Sequence, residues 1–162
     1  SYEWTKIEPD ILATAKGIAS GFPFGACLST DEACIGMTKG KHGSTYGGNP
    51  LAMSVALEVI KILLNKDFLH NVDKISRFFW KKLKILENKF DEIVEIRGAG
   101  LLLGIKTKSE NIKISNLLIE NGLLNVPASD NVIRLAPPLI ITESEINQAL
   151  QIIEKVLKEI ND

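Results

Sequence analysis

Apolar positions along this chain come in two textures: short blocks parted by glycine up to residue 49, and long runs at helical spacing beyond it. Residues 9–16, PDILATAK, open on a turn signal, and residues 11–15 are a short apolar block. A block of this length bounded by turn residues predicts a buried strand, with a helical turn as the alternative. Residues 17–25, GIASGFPFG, hold three glycines and a proline and predict a loop. A second short strand follows at 26–29. Thr30 then opens a helical segment over 31–36, with Asp31 and Glu32 in its first turn. Residues 37–49 predict a long irregular loop ending at Asn49-Pro50, where Asn suits the N-cap and Pro the first turn of a helix. Leu51, Val55, Val59, Ile60, Leu63 and Leu64 share one broad face of that helix.

Asn65-Lys66-Asp67 breaks the pattern, and a second helix over about 68–89 groups Leu69, Val72, Ile75, Phe79, Leu83 and Leu86. Residues 93–96 and 101–105 are β-rich and flank the turn Arg97-Gly98-Ala99-Gly100. A helix over about 109–121 stops at Asn121-Gly122. Residues 123–126 and 132–135 predict short strands, parted by a loop with Pro127 and Asp130-Asn131, and Pro137-Pro138 ends the second. Thr142 with Glu145 forms a capping box. The closing helix then buries Ile146, Leu150, Ile153, Val156, Leu157 and Ile160. The order predicts the tail of an α/β domain over 1–65, followed by a compact α+β domain over 66–162.

Composition narrows the classes. An apolar content of 45% and a charged content of 24% suit a globular protein with a real core. A net charge of −1 gives no electrostatic case for nucleic acid or an anionic membrane as partner. Lys and Glu interrupt every apolar run before it reaches spanning length. Cys27 and Cys34 lie among small or apolar residues, with no Cys or His at metal-ligand spacing. They predict two buried, reduced thiols in a cytoplasmic protein without a metal, a disulfide between them being the alternative. Residues 1–4 lack the basic flank and apolar core of an export signal. They read as mid-domain sequence, so the chain is expected to be part of a longer product.

Lys16 is the first candidate for chemistry. A lysine that forms an imine must present a neutral amine, which partial desolvation and a neighbouring cation favour. The end of a strand beside a glycine-rich turn suits the close backbone approach of a flat cofactor. Taken alone, a strand-end lysine is ordinarily a solvated surface residue. The loop HGSTYGGNP adds the Ser44 and Thr45 hydroxyls, loop N–H groups and a helix N-terminus, which together make a phosphate cradle. The alternative is a flexible loop before a well-capped helix. In RGAGLLLG the last glycine, Gly104, falls one position late for a dinucleotide fingerprint and an apolar strand follows. That predicts a tight turn, with Arg97 an anion contact or a salt-bridge residue. Arg134 sits in a short apolar strand, where a guanidinium needs either a carboxylate of the protein or a ligand.

The stretches PDILATAKGIASGFPFGA, HGSTYGGNPLA, IRGAGLLLGI and IRLAPPL, in this order and spacing, resemble the class III, fold-type I pyridoxal-phosphate aminotransferases. The wording is most similar to members acting on N-acetylornithine. The resemblance implies the tail of the large cofactor-binding domain followed by the small C-terminal α+β domain. It makes Lys16 the lysine that carries pyridoxal phosphate and moves the substrate proton. It assigns Thr45 to the cofactor phosphate and Ser44 to the acetylornithine substrate, both reaching the neighbouring subunit's site in a homodimer. Arg97 falls near the rim of the site and Arg134 at the substrate carboxylate. The implied reaction moves an amino group between N-acetylornithine and 2-oxoglutarate in arginine synthesis. Alternatives are transaminases of ornithine, succinylornithine, 4-aminobutyrate or an N-acylated lysine precursor, or a non-catalytic remnant. Family members also carry an upstream portion with a phosphate turn, a ring-stacking aromatic and an Asp for the pyridine nitrogen. Residues 1–162 contain none of these, so the chain alone is expected to transaminate slowly or not at all, with strand edges and apolar faces uncovered.

Overall fold

The computed structural model describes residues 2–161, which divide into two units, Ser1–Lys66 and Asp67–Asp162. The first opens with α1 (Tyr2–Thr5), and β1 (Ile11–Ala15) then pairs antiparallel with β2 (Gly25–Ser29), Ile11 opposite Ser29. Between them Lys16–Ala19 forms a single 3₁₀ turn within what the glycines predict as loop. The expected burial of the strand does not hold. Ile11 is 60% and Leu28 55% exposed, because a two-stranded ribbon cannot cover both of its own faces. Cys27 and Cys34 are likewise free and exposed, not buried, since the ribbon and α2 (Asp31–Cys34) offer them no interior. Thr30 caps α2 as expected, its Oγ1 accepting the Ala33 N–H.

The helix α3 (Pro50–Leu63) starts where the Asn-Pro pair predicts. Its buried face differs from the expected one. It packs on the 3₁₀ turn, and Ala19, Ala52 and Ala56 are the buried residues there. Leu51, Ile60 and Leu64 are exposed, because close approach to the turn selects the alanine side of the helix.

In the second unit α4 (Lys66–Lys89) leads into a four-stranded antiparallel sheet of β3 (Ile93–Ala99), β4 (Leu102–Thr107), β5 (Val126–Ala128) and β6 (Val132–Leu135). The order is β3-β4-β6-β5, with α5 (Asn111–Glu120) after β4 and α6 (Glu143–Asn161) at the end. Alternation along β4 sends Leu103 and Ile105 to the core and leaves Gly104 and Lys106 on the other face. The core joins Phe79 and Leu83 of α4, Leu118 of α5 and Ile146, Val156 and Leu157 of α6 to that sheet face. The helical stripes predicted for α4 and α6 hold, except that Leu69 is exposed in the first turn of α4.

Two turns depart from the sequence pattern for identifiable reasons. The strand β3 runs on through Gly98 (φ 131), where a Cβ would lie 2.1 Å from the Leu102 carbonyl oxygen. The glycines of RGAGLLLG thus permit close cross-strand approach in a hairpin. Trp80 Nε1 donates to the Gly100 carbonyl at 2.9 Å and ties that hairpin to α4. Residues 123–125 do not join the sheet. The Leu123 N–H goes to the Leu118 carbonyl and Asn125 Nδ2 to the Ser115 carbonyl, holding the segment against α5. Elsewhere the pattern holds: Gly122 (φ 91) follows α5, and Thr142 and Glu145 bond reciprocally at the start of α6.

Glutamates tie these helices down. Glu87 accepts the Ile96 N–H at 2.8 Å, and Glu154 accepts from Lys89 at 2.7 Å. Desolvation raises the Glu87 carboxyl, but the Lys84 ammonium and the Ile96 N–H together hold it below its ordinary range. Hydrogen bonds from Lys89 and then Lys158 lower Glu154. Carboxyls lowered on folding stabilise the native state above their unfolded value of about 4.3, and that stability is lost as pH falls through the folded values. Melting temperature is therefore expected to hold steady between about pH 7 and 5 and to drop below about pH 4.3. Glu87→Gln should make that acid drop shallower, as followed by circular dichroism.

Candidate active site

Lys16 directly follows β1 and opens the 3₁₀ turn in the left-handed region, φ 61, after an extended Ala15. A long side chain held there costs on the order of 1–3 kcal/mol, and such strain gathers at functional sites. Ser20 (φ 45) and Gly21 (φ 104) close the same turn, so left-handed residues bracket it on both sides. Lys16 is exposed, and among the described residues its ammonium has no hydrogen-bond or ion-pair partner. Through the packing of its 3₁₀ turn on α3, Lys16 is tied to the helix into which the Ser44–Thr45 loop feeds.

That loop is folded on itself. Ser44 Oγ accepts the Gly47 N–H at 2.9 Å, and the Tyr46 carbonyl accepts the Asn49 N–H. Gly47 is required: a Cβ there would lie 2.9 Å from Ser44 Oγ. Tyr46 stands 83% exposed at the loop tip next to Thr45. The cradle drawn from the sequence needs one correction. Asn49 Oδ1 already takes the N–H groups of Leu51 and Ala52, so the first turn of α3 has fewer donors free for an anion. The Ser44 and Thr45 hydroxyls and loop N–H groups remain. A cavity of about 430 Å³ adjoins them, lined by Phe22, Phe24, Ser44, Tyr46, Gly47 and Met53; Lys16 and Thr45 lie outside its lining. Pyridoxal phosphate requires a free primary amine for its aldehyde and a donor-rich small-residue turn for its phosphate. The unpartnered Lys16 and the Gly47 turn fit those two ends.

The second unit holds the arginines. Arg97 stands opposite Gly104, and Gly104 opposite Arg134, in one cross-strand row. Arg97 Nη1 donates to Asp130 Oδ2 and Lys106 Nζ to Asp130 Oδ1, both at 2.8 Å. Bonds from Lys106 and then Arg97 hold the Asp130 carboxyl below its ordinary range. Of the two roles open to Arg97 from sequence, the salt bridge is present. Arg134 is exposed and has no ion-pair partner among the described residues. Asp130 and Lys106 were not among the sequence candidates. Asp130-Asn131 reads as a turn, and only strand register reveals which cations it meets.

A ribbon-and-helix unit followed by a helix-covered antiparallel sheet, with the lysine and the glycine loop in the first, defines a mixed α/β protein. Residues 1–157 match the family model described as Aminotransferase class-III, and the chain belongs to that family. It is 48% identical over its whole length to an acetylornithine aminotransferase of Mesorhizobium japonicum. It is 47% identical over 95% of its length to one of Agrobacterium fabrum. Among solved structures it resembles acetylornithine aminotransferase from Elizabethkingia anophelis, with a TM-score of 0.87 and 35% identity over 97% of the chain. It also resembles ornithine aminotransferase from Toxoplasma gondii, with a TM-score of 0.89 and 32% identity over 99% of the chain. The chain spans 41% and 39% of the two curated relatives, and 43% and 39% of the two solved chains.

Proposed function

We propose that this chain serves a cytoplasmic pyridoxal-phosphate aminotransferase that moves an amino group from N-acetylornithine to 2-oxoglutarate in arginine synthesis. The observation that carries this reading is the 48% identity to an acetylornithine aminotransferase over the full chain, with Lys16 standing free and left-handed at the end of β1. The cofactor, when bound, supplies the electron sink that lets the C–H bond beside the substrate nitrogen ionise. Lys16 Nζ holds the cofactor, is released when the amino substrate arrives, and takes the proton from the amino-bearing carbon. The Thr45 hydroxyl binds the phosphate and Ser44 the acetylornithine, both serving the neighbouring subunit's site in a homodimer. Arg134 receives the substrate carboxylate as a charge-assisted pair, and Arg97 lies at the rim. The ring-stacking and pyridine-nitrogen contacts belong to the part of the relatives that this chain does not span. Transfer by the chain alone is therefore slow.

The likeness to an ornithine aminotransferase supports a second reading in which the donor is ornithine. The test is a half-reaction: chain and pyridoxal phosphate are incubated with N-acetylornithine, ornithine, succinylornithine or 4-aminobutyrate, and pyridoxamine phosphate is quantified. N-acetylornithine is expected to react fastest. A faster reaction with ornithine would assign the second reading, and a folded chain that gives no imine absorbance band with pyridoxal phosphate would mark a non-catalytic remnant.

A further inference from the structure

The outward face of the second unit's sheet holds two arginines that differ in their surroundings. Arg97, Gly104 and Arg134 are partners in register across three strands, so their positions share one face. Two strand spacings of roughly 4.8 Å put the two arginine backbones about 10 Å apart. Gly104 lets the row close down. A Cβ there would lie 2.8 Å from Val132 Cγ1 and 3.6 Å from Arg97 Cγ, so the Arg97 stem runs over the glycine.

Asp130 separates the fates of the two. One of its oxygens accepts from Arg97 and the other from Lys106. Glu95 stands opposite Lys106 in the sheet, yet the ammonium goes to Asp130. The position of Asp130 is built in. Asp130 (φ 62) and Asn131 (φ 56) are consecutive left-handed residues. The Asn131 amide donates to the Thr107 and Ser109 carbonyls at 2.6 Å each and accepts the Asn111 N–H at 2.8 Å. The hairpin tip is thereby fixed against the end of β4. Arg134 is left exposed, without an acidic partner among the described residues.

We propose that Asp130 is a specificity-determining residue: by filling Arg97 and Lys106 with its own two oxygens, it leaves Arg134 as the single carboxylate seat on this face. The face then seats one substrate carboxylate, at Arg134, and the second carboxylate of 2-oxoglutarate finds no seat at Arg97 and is held by residues outside this face. This rests on the reading of Arg134 as the carboxylate seat.

The test uses the 162-residue chain labelled with ¹⁵N-arginine, its Nε–Hε signals assigned through Arg97→Lys and Arg134→Lys. Acetate and glutarate are titrated at constant ionic strength into wild type, Asp130→Asn and Lys106→Met. In wild type both anions are expected to shift Arg134 and leave Arg97 still, with glutarate favoured by no more than the roughly twofold statistical factor of its two ends. In Asp130→Asn, Arg97 should respond as well, and the preference for glutarate over acetate should rise to roughly fivefold or more. Asn tolerates the left-handed backbone, so this variant keeps the hairpin, which amide dispersion verifies. Lys106→Met retains the Arg97–Asp130 pair and should leave Arg97 still. An Arg97 signal that moves in wild type overturns the proposal, as does an unchanged anion preference in folded Asp130→Asn. If Arg134 stays silent throughout while Arg97 responds in Asp130→Asn, the seat at Arg134 falls and the shielding by Asp130 stands.

Discussion

Gly98→Ala is expected to destabilise the second unit by about 3–5 kcal/mol, while Gly100→Ala, two residues on, costs about 1 kcal/mol. Both glycines have positive φ, 131° and 57°, so conformation alone does not separate them. Space does. A Cβ at Gly98 would lie 2.1 Å from the Leu102 carbonyl oxygen and 3.1 Å from Leu103 Cα, which are backbone atoms of the paired strand and cannot turn aside. A Cβ at Gly100 meets nothing within 4 Å. Relief at position 98 requires the β3–β4 ladder to part. That ladder presents Ile96, Leu103 and Ile105 to the core. Against a typical domain stability of about 5–15 kcal/mol, the loss at position 98 is a large share. Urea unfolding of the two variants beside wild type measures it. Equal losses would show that the hairpin yields more easily than its register indicates.

Lys16→Ala is expected to lower amino transfer by at least about 10³-fold, because one substitution removes both the group that holds the cofactor and the base that moves the proton. Lys16→Arg should fare no better, since a guanidinium is neither nucleophilic nor basic at working pH. Stability is expected to respond in the opposite sense. Lys16 occupies φ 61, open space surrounds the neighbouring Gly17, and the Lys16 side chain makes no hydrogen bond or ion pair among the described residues. Lys16→Gly should therefore raise the unfolding free energy by about 1 kcal/mol, through relief of the left-handed strain, while abolishing transfer. Kinetics by pyridoxamine phosphate formation and urea melts on the same samples read the two effects. A stabilised and still active Lys16→Gly chain would remove the lysine from the mechanism.

Much of this was legible before the structure because it depends on neighbours in sequence. The Asn49-Pro50 start of α3, the Thr142–Glu145 box and the glycine stop after α5 are local bonding patterns, and all three stand where the residues predict. The stripes of α4 and α6 were legible because one sheet face supplies their core. The misplaced expectations all depend on what lies opposite. The exposure of Ile11, Leu28 and both cysteines follows from the ribbon having a single pair of strands, which an apolar block cannot announce. The buried alanine side of α3 follows from the 3₁₀ turn beneath it. Asp130 is the sharpest case. Its turn was legible from Asp-Asn, but its grip on Arg97 and Lys106 comes from residues 33 and 24 positions away, joined only by register. Lys16 was legible through its motif, and the left-handed backbone that sets it apart was not.

The role of Lys16 is tested most directly by trapping. The chain is mixed with pyridoxal phosphate, reduced with borohydride, digested, and its peptides weighed by mass spectrometry. The pyridoxyl increment is expected on the peptide containing Lys16 and absent from that peptide in Lys16→Ala. A label on Lys39 or Lys41 of the adjoining loop, or spread evenly over the lysines with none concentrated at Lys16, would contradict it.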